Sequence, residues 1–328
     1  MNIAIVGAGA VGARAARQLA SSDDVDHIVL YDPDTARVNE IVGSLGADLA
    51  RAGDGEPHRA NADVALLAGP CGAHADTAAA FIEAGASVVS VADDVDEVRA
   101  LLELDSAASR RGATVAVGAG FGPGLSCLLA AHAAALFDHV DEVHVARIGT
   151  GGPVCAEQHH RALAGTALDW RDGQWIDRRG GSGRELCWFP EPLGAADCYR
   201  AALPDALLLV PAFPGVSRVT VRLAATRRDR ITAHLPMLRK PHPEGGPGAV
   251  RVEVRGRQGA AVDVEVLGVM DRPAVAAGAV AALTVIALGR GDARRTGAGG
   301  LAELVDPLPM LSELARRGVK AAIFEGAG

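Results

Sequence analysis

An α/β fold is predicted for the first part of this chain: a doubly wound parallel sheet covered by helices, followed by a second α+β domain with a largely antiparallel sheet. Three observations predict it. Short apolar runs alternate with helical stretches at first, runs of alternating polar and apolar residues follow later, and the chain has 328 residues. That length suits two domains of about 150 residues each.

Residues 1–122 carry the first pattern and are predicted to form a dinucleotide-binding domain, for the reasons given below. The apolar runs expected to be strands are Ile3–Val6, Ile28–Tyr31, Val64–Ala68, Ser87–Ala92 and Thr114–Val117. The stretches expected to be helices are Val11–Ala20, Asp34–Leu45, His74–Ala84 and Val95–Arg111. Helices of this length between apolar runs are typical of crossover connections, so the strands should lie parallel and be covered on both faces.

Residues 123–270 are predicted to form the second domain, for substrate and dimerisation. After a helix over Leu125–Phe137 and a run at Glu142–Ile148, alternating strands are expected at Arg218–Thr226, Ala249–Gly256 and Ala261–Met270. The Pro- and Gly-rich stretch Lys240–Gly248 should be an irregular loop that joins two of these strands or overhangs a site. Residues 271–328 should supply helices again, over Ala274–Leu288 and Asp306–Phe324.

Composition narrows the class of partner. The formal net charge is -8 and no long basic tract occurs, which argues against nucleic acid and favours a small-molecule substrate. The longest apolar run, Ala274–Leu288, has 15 residues, fewer than the ~20 that span a bilayer, so it predicts a buried helix and no membrane partner. The five cysteines are scattered without a C-x-x-C pair, and the chain opens on a strand-like run, so a reducing, cytoplasmic location is expected.

A glycine motif between the first strand and the first helix carries the chemistry. In "IAIVGAGAVGARAARQL", Gly7 permits a tight turn, Gly9 lets the backbone approach a diphosphate, and Gly12 lets helix and strand touch. Ala10 and Val11 open the helix, whose amino terminus offers N–H groups and a positive dipole to phosphates. The position of the motif predicts a dinucleotide cofactor, NAD or NADP.

Asp32 follows the second predicted strand, about 20 residues after the motif, where an acid can accept hydrogen bonds from the adenosine ribose. A carboxylate there disfavours a 2′-phosphate, so NAD is favoured over NADP, although Arg37 could reach such a phosphate. The alternative is that Asp32-Pro33-Asp34 only caps the next helix.

A turn after the third predicted strand, "AGPCG", should border the same crevice, because ligands bind at the carboxyl ends of parallel strands. Gly69, Pro70 and His74 are therefore predicted on the cofactor side. The alternative for His74 is an ordinary residue at the start of a helix.

The chain resembles the saccharopine dehydrogenase and lysine 6-dehydrogenase group of NAD(P)-dependent amino-acid oxidoreductases. The resemblance covers nearly the full length, through "GAGAVG", "EAGASVVSVADD", "GATVAVGAGFGPGL" and "MLSELARRGVKAAIFEG". It implies a Rossmann domain, a substrate domain inserted before the last helices, and the return of those helices to the Rossmann lobe. It also implies hydride transfer at the carbon of a C–N bond, with Gly120, Pro123 and Gly124 in a turn beside the nicotinamide. A homodimer is expected.

One position departs from the pattern of this family. The aspartate usual at the end of the fourth strand falls on Ser90, with Asp93 and Asp94 following. Asp93 is a candidate for the same catalytic work, since the end of a strand faces the crevice. Alternatively, Asp93 and Asp94 cap the helix that begins near Val95.

The stretch "PVCAEQHHRAL" supplies the other catalytic candidates, His159 and His160, because proton transfer needs a group with a pKa near neutrality. If the stretch is helical, Cys155 and His159 share one face and His160 lies on another. This division of possible ligands, and the lack of H-E-x-x-H, argue against a metal. Either one histidine faces the cleft or the helix is merely polar and solvated.

Substrate carboxylates call for arginine. Arg184 and Arg200, with Tyr199 beside the latter, are the predicted substrate-binding residues, and the alternative for each arginine is a surface salt bridge. The leading hypothesis is an oxidoreductase acting on the C–N bond of an amino acid, an amine or a saccharopine-type conjugate. The alternatives are a catalytically silent dinucleotide-binding or redox-sensing protein and a dehydrogenase of a non-amine substrate.

Overall fold

The computed structural model describes residues 1–237, 242–243 and 245–319, and the backbone of 321–323. Its strands are β1 (Asn2–Val6), β2 (His27–Tyr31), β3 (Ala50–Ala52), β4 (Val64–Leu67), β5 (Ser87–Ser90), β6 (Thr114–Val117), β7 (His139–Ile148), β8 (Thr166–Arg171), β9 (Gln174–Arg179), β10 (Glu185–Trp188), β11 (Ala195–Arg200), β12 (Arg218–Ala224), β13 (Gly248–Gln258), β14 (Ala261–Asp271), β15 (Gly297–Gly299) and β16 (Ala321–Ile323). Its helices are α1 (Ala10–Leu19), α2 (Thr35–Leu45), α3 (His74–Glu83), α4 (Val95–Leu102), α5 (Asp105–Arg111), α6 (Leu125–Ala134), α7 (Pro153–Ala162), α8 (Asp205–Leu209), α9 (Arg227–Thr232), α10 (Pro273–Arg290), α11 (Leu301–Leu304) and α12 (Pro307–Arg316), with a 3₁₀ turn at Pro57–Arg59.

The first sheet has seven strands in the order β15-β6-β5-β4-β1-β2-β3, and every pairing in it is parallel. The four residues of β4 and the four of β6 are all buried, as expected for strands covered on both faces. The order of strands reverses beside β1, so the turn after β1 faces a crevice where such sheets bind ligands. The predicted doubly wound α/β sheet is confirmed.

The predicted single helix over Val95–Arg111 is wrong, because the structure has two helices there, α4 and α5. The second begins at Asp105, whose carboxylate accepts hydrogen bonds from the backbone N–H of Ala298 at 2.9 Å and from Arg295 at 3.0 Å. These bonds tie the start of α5 to the edge strand β15, and they satisfy the carboxylate from outside the helix.

The apolar helix predicted at Ala274–Leu288 is α10, and it is buried from Pro273 to Leu288. It packs on α1 so closely that a Cβ at Gly278 would lie 2.6 Å from the Cβ of Arg14. Among the described residues α10 alone is long and apolar enough to cross a membrane, yet 78% of it is buried within the structure. That burial is typical of a core helix.

The second sheet follows the order β10-β11-β12-β7-β13-β14-β16, with β8 and β9 attached beside β12. Its pairings are antiparallel except for β12 with β7, so the predicted largely antiparallel sheet is confirmed. β7 lies at the centre between β12 and β13. Buried helix α6 packs against β13 and α12 and connects the two halves of the molecule.

The prediction of helices throughout Asp306–Phe324 is wrong in its last part. Helix α12 ends at Arg316, Gly318 has a φ of 94° and Ala321–Ile323 forms β16 on the second sheet. A residue with a Cβ adopts that backbone conformation only with strain, so the glycine ends the helix there. Phe324 lies outside the described residues, as do Lys240, Pro241 and Glu244 of the predicted loop, which leads from α9 to β13.

Candidate active site

The glycine turn after β1 is built for a ligand that approaches the backbone. A Cβ at Gly7, where φ is 108°, would overlap the backbone of Gly69, and a Cβ at Gly12 would overlap the carbonyl oxygen of Gly7. Gly9 differs, because a Cβ there would meet no atom within 4 Å. Two glycines are thus needed for packing, while the third leaves a bare surface at the amino terminus of α1, which fits a diphosphate.

Asp32 supports this turn. Its carboxylate accepts hydrogen bonds from the backbone N–H of Ala8 at 2.7 Å and of Asp34 at 2.9 Å. Helix α2 is capped by Asp34, which accepts from the N–H of Arg37 at 3.1 Å, so Asp32 is not the cap. A half-buried carboxylate beside the turn fits a ribose hydroxyl, and the exposed Arg37 lines the adjoining cavity.

A cavity of about 390 Å³ opens from the glycine turn toward the second sheet. Of the residues predicted from the sequence, those that line it are Gly9, Ala10, Val11, Gly69, Pro70, Asp93, Gly120 and His159. Residues from both halves of the molecule meet here, since Asp93 follows β5 and His159 lies on α7. The cavity therefore brings the predicted cofactor turn and two predicted catalytic residues to one place.

Asp93 and His159 form a buried pair in the wall of this cavity. Nε2 of His159 lies 2.9 Å from Oδ2 of Asp93, and the two side chains are 8% and 16% exposed. The Sγ of Cys155 lies 3.7 Å from the same Nε2, one helical turn away on α7, as the i,i+4 spacing predicts. The neighbouring acid, Asp94, caps α4 through bonds of 3.0 Å and 3.1 Å from backbone N–H groups. Asp93 itself is free of that role.

The electrostatics of this pair favour an imidazolium beside a carboxylate. Burial alone would lower the pKa of His159, but contacts with Cys155 and Asp93 raise that pKa to about 9. Burial opposes the charge on Asp93, yet the hydrogen bond from His159 holds the pKa of Asp93 below its usual value. At neutral pH the proton therefore resides on His159, and Nε2–H donates a hydrogen bond to the carboxylate of Asp93.

A metal could in principle use the same atoms. Ligand atoms of Asp93, Cys155 and His159 all lie within 4.8 Å of one another, a grouping that the sequence did not reveal because Asp93 comes from the other half. Two observations favour proton transfer instead: Asp93 and His159 bond each other directly, and the guanidinium of Arg147 lowers the pKa of His159, so a positive charge is already near. The expectation of no metal stays a prediction.

Arg147, on β7, was missed in the sequence, although it lines the cavity and is 2% exposed. In the sequence Arg147 is one charged residue in the alternating run "EVHVARIG". An arginine on the solvated face of a strand would give the same pattern, so the sequence does not identify Arg147 as buried. Cys71 also lines the cavity, and burial raises the pKa of its thiol to about 11, so it remains protonated.

His74 does not line the cavity, so its place does not support the prediction that it binds the cofactor. It is 4% exposed, its Nδ1 lies 2.8 Å from Oγ of Ser90, and its Nε2 lies 3.0 Å from the carbonyl oxygen of Gly69. Burial lowers the pKa of His74, so a neutral ring joins β5 to the turn after β4. Ser90 therefore has a structural role here, through its hydrogen bonds with His74 and with the backbone N–H of Ala92.

His160 does not face the cavity, so its predicted catalytic role is not supported by its place. Its Nε2 lies 3.1 Å from Oγ1 of Thr232 on α9, and the side chain is buried there. Successive residues of a helix point about 100° apart, which sends His159 and His160 to different neighbours.

The three predicted substrate-binding residues also lie away from the cavity lining. Arg184 is exposed and pairs with Asp197 at 2.9 Å, and Arg200 pairs with Asp169 at 2.8 Å. Tyr199 is buried beneath the guanidinium of Arg230, 4.1 Å from its ring centre. Arg184 therefore fits the alternative of a surface salt bridge, whereas the salt bridge of Arg200 with Asp169 is mostly buried.

Gly7, Gly12, Asp32, Pro123 and Gly124 do not line the cavity but shape its borders. The N–H of Gly120 donates a hydrogen bond to the carbonyl oxygen of Pro123 at 2.9 Å. Gly124 has a φ of 123°, and its backbone packs against the backbone of Gly120. This closed turn presents Gly120, Phe121 and Gly122 to the cavity.

A comparison with known protein families bears on the first domain. Residues 1–119 match a family described as an oxidoreductase family with an NAD-binding Rossmann fold. That match confirms the Rossmann prediction for the first domain.

Solved structures resemble the chain over almost its full length. Saccharopine dehydrogenase (L-Glu forming) from Saccharomyces cerevisiae is 16% identical with a TM-score of 0.68, over 98% of this chain and 99% of that one. An amine dehydrogenase from Mycobacterium smegmatis is 13% identical with a TM-score of 0.53, over 93% and 96%. An engineered D-amino acid dehydrogenase bound to NADP+ is 15% identical with a TM-score of 0.50, over 97% and 99%. At these identities the likeness establishes the fold, in agreement with the resemblance in the sequence.

Proposed function

We propose that this protein is an NAD(P)-dependent oxidoreductase that acts by hydride transfer on the C–N bond of an amino acid, an amine or a saccharopine-type conjugate. The observation that carries the proposal is the buried Asp93–His159 pair, which shares one cavity with the bare surface at Gly9. Oxidation of an amine releases a proton and reduction of an imine consumes one, so the reaction needs such a pair close to the cofactor.

The residues of the chain divide the work. The glycine turn and the amino terminus of α1 would hold the diphosphate, and Asp32 the adenosine ribose. When bound, the nicotinamide accepts a hydride from the carbon of the C–N bond or returns one to it. Asp93 fixes the ring of His159 by accepting a hydrogen bond from Nε2–H, and the other ring nitrogen, Nδ1, would take up the proton that an amine loses, or supply one to an imine.

Turnover is tested by following the absorbance of the reduced cofactor in both directions. One direction uses lysine, ornithine and related amines with NAD+ or NADP+, and the other uses pairs of an amine and a 2-oxo acid with NADH or NADPH. Enzyme dialysed against a chelator is included, since a proton-transfer site works without a metal. A protein that binds the cofactor tightly but turns over no member of the panel would be a silent binding or sensing protein instead.

The pH dependence should reveal His159. Its raised pKa of about 9 means that the neutral ring, which accepts a proton, predominates only above that pH. We expect kcat/KM for amine oxidation to rise with pH through about 9 and level off above it, and kcat/KM for imine reduction to fall as pH passes that value. Asp93→Asn should move the inflection to lower pH, because it removes the negative charge that stabilises the imidazolium. An inflection that is identical in His159→Gln would assign it to another group.

Preference for NAD over NADP is proposed to rest on Asp32. Asp32→Ala should weaken NAD binding and narrow the difference from NADP by about 1–2 kcal/mol, the value of lost ribose hydrogen bonds. Binding titrations of NAD and NADP measure this difference in affinity. Asp34→Asn is the control, because asparagine keeps the cap of α2. An unchanged preference would mean that Asp32 serves only the backbone of the turn, and that Arg37 in the cavity wall governs the choice.

The cytoplasmic location and the homodimer expected from the sequence remain proposals, as does the lack of nucleic-acid and membrane partners. Leu186 and Trp188 support the homodimer, because they are 57% and 59% exposed on the edge strand β10 of the second sheet. A second copy of the chain would cover such apolar side chains.

A further inference from the structure

Arg147 lies at the centre of the second sheet. On β7 it stands opposite Leu223 of β12 and Val250 of β13, and its side chain is 2% exposed. A guanidinium cannot lose its proton in a protein, and burying a charge is costly unless it is paired and hydrogen-bonded. A buried arginine in the wall of a ligand cavity therefore raises the question of its partner.

The acid nearest to Arg147 pairs with it poorly. Asp205 is fully buried, and its Oδ2 lies 3.8 Å from Nη2 of Arg147, too far for a hydrogen bond. The other oxygen, Oδ1, accepts from Oγ of Ser126 at 2.7 Å. Within the described residues, Nε and Nη2 of Arg147 and Oδ2 of Asp205 have no hydrogen-bond partner. Asp205 offsets part of the charge of Arg147 but leaves its hydrogen-bonding capacity unused.

The remaining nitrogen of Arg147, Nη1, lies beneath Gly122. A Cβ at Gly122 would lie 2.8 Å from Nη1 and 3.1 Å from Cδ, so the glycine leaves the space in which the guanidinium sits. Gly122 and Arg147 both line the cavity. The other charged pair in this part of the wall, Asp93 with His159, is mutually bonded. Arg147 is thus a buried cation that faces the cavity without a close partner, whereas Arg37, which also lines the cavity, is exposed to solvent.

We propose that Arg147 binds a carboxylate of the substrate, so that the site takes amino acids and their 2-oxo-acid counterparts in preference to amines without a carboxylate. An anion bound at Nη1 would accept a charge-assisted hydrogen bond from Arg147, which Asp205 does not do. The choice of substrate rests on the proposed function, whereas carboxylate binding at Arg147 does not require turnover.

The binding test uses protein saturated with NADH and free of ammonia, so that no reaction occurs. Pyruvate, 2-oxobutyrate and 2-oxoglutarate are titrated by calorimetry, each against its uncharged amide. We expect at least one acid to bind about 10- to 100-fold more tightly than its amide, the range for a hydrogen bond to a charged group. Equal binding of acids and amides, or no binding of either, would overturn the proposal.

Variants assign the effect to Arg147. The double variant Arg147→Gln with Asp205→Asn keeps the buried charge balanced and should lose the preference for acids, whereas Arg147→Lys should keep part of it. Arg200→Gln is the matched control, because Arg200 is also a partly buried arginine in an ion pair but lies outside the cavity lining. Circular dichroism and NADH affinity establish that each variant is folded. An unchanged preference for acids in the folded double variant would overturn the assignment to Arg147. If neither Arg147 variant folds, the comparison of acids with amides in the wild-type protein decides whether the site binds a carboxylate.

The turnover test separates this inference from the proposed function. For an amino acid and the amine that lacks only its carboxylate, the ratio of kcat/KM should favour the amino acid in the wild type and fall by about 10- to 100-fold in the double variant. Selective binding of acids without turnover would support the carboxylate site at Arg147 and contradict the proposed reaction. Turnover without selectivity for acids would support the proposed reaction and contradict the role of Arg147.

Discussion

Asp93→Asn is expected to lower kcat/KM by about 10²- to 10⁴-fold, the usual contribution of positioned acid–base groups, while the affinity for NAD(P)H stays near that of the wild type. The carboxylate accepts a hydrogen bond from Nε2–H of His159 at 2.9 Å, and both side chains are mostly buried. Without its charge the ring loses both its orientation and the interaction that raises its pKa. His159→Gln should cause a loss of similar size, because the two residues act as one unit.

Adjacent residues provide matched controls for both substitutions. Asp94→Asn alters the next acid in the chain, which caps α4 and does not line the cavity, and asparagine caps helices as well as aspartate does. His160→Gln alters the next histidine, which is bonded to Thr232. Both controls should keep nearly full activity in steady-state assays. An equal loss in Asp94→Asn, or full activity in Asp93→Asn, would contradict the assigned roles.

Gly9→Ala is expected to weaken NAD(P)H binding by about 1–3 kcal/mol, the cost of forcing a methyl group into a packed contact, without loss of folding stability. The protein itself leaves that space empty, since a Cβ at Gly9 would meet nothing within 4 Å. Fluorescence titration with NADH and thermal unfolding measure the two quantities separately.

Two other glycines make this comparison specific. Gly12→Ala should lower the melting temperature as well as the affinity, because its Cβ would overlap the carbonyl oxygen of Gly7. Gly43→Ala, in the exposed part of α2 with nothing within 4 Å, should leave affinity unchanged and stabilise the helix by about 0.5–1 kcal/mol. Unchanged affinity in a folded Gly9→Ala variant would mean that the turn does not cradle the cofactor.

Local patterns predicted most of the first sheet and of the cofactor turn. Gly7, Gly9 and Gly12 stand between a strand and a helix, so neighbouring residues alone define their environment. The edge strand β15 could not be predicted in the same way. It consists of Gly-Ala-Gly and pairs with Thr114–Ala116, far away in the sequence, so its strand conformation comes from the tertiary pairing and not from local preference.

The sequence predicts Asp93 and His159 only as two separate candidates and not as a pair. The spacing of Cys155 and His159 placed them on one face of a helix, but which face meets the cavity depends on how α7 packs against the other half of the molecule. His159 and His160 therefore could not be separated in the sequence. Arg147 was missed for a related reason, because alternation along β7 does not distinguish the buried face of a central strand from the solvated face of an edge strand.

The predicted substrate arginines show the opposite error. Arg184 and Arg200 are predicted as carboxylate-binding residues, yet each has an acid within 2.9 Å that the sequence does not identify. These salt bridges join residues on different strands, so they depend on the register of β8, β10 and β11. Local sequence patterns do not determine that register.

Deuterium transfer tests the central claim most directly. Amino acids and amines that carry deuterium on the carbon of the C–N bond would be incubated with the protein and NAD+ or NADP+, and the reduced cofactor analysed by mass spectrometry. The proposed function predicts deuterium in the reduced cofactor for at least one substrate, and its loss in Asp93→Asn but not in Asp94→Asn. Cofactor that binds to the wild-type protein but acquires no deuterium from any member of the panel would contradict it.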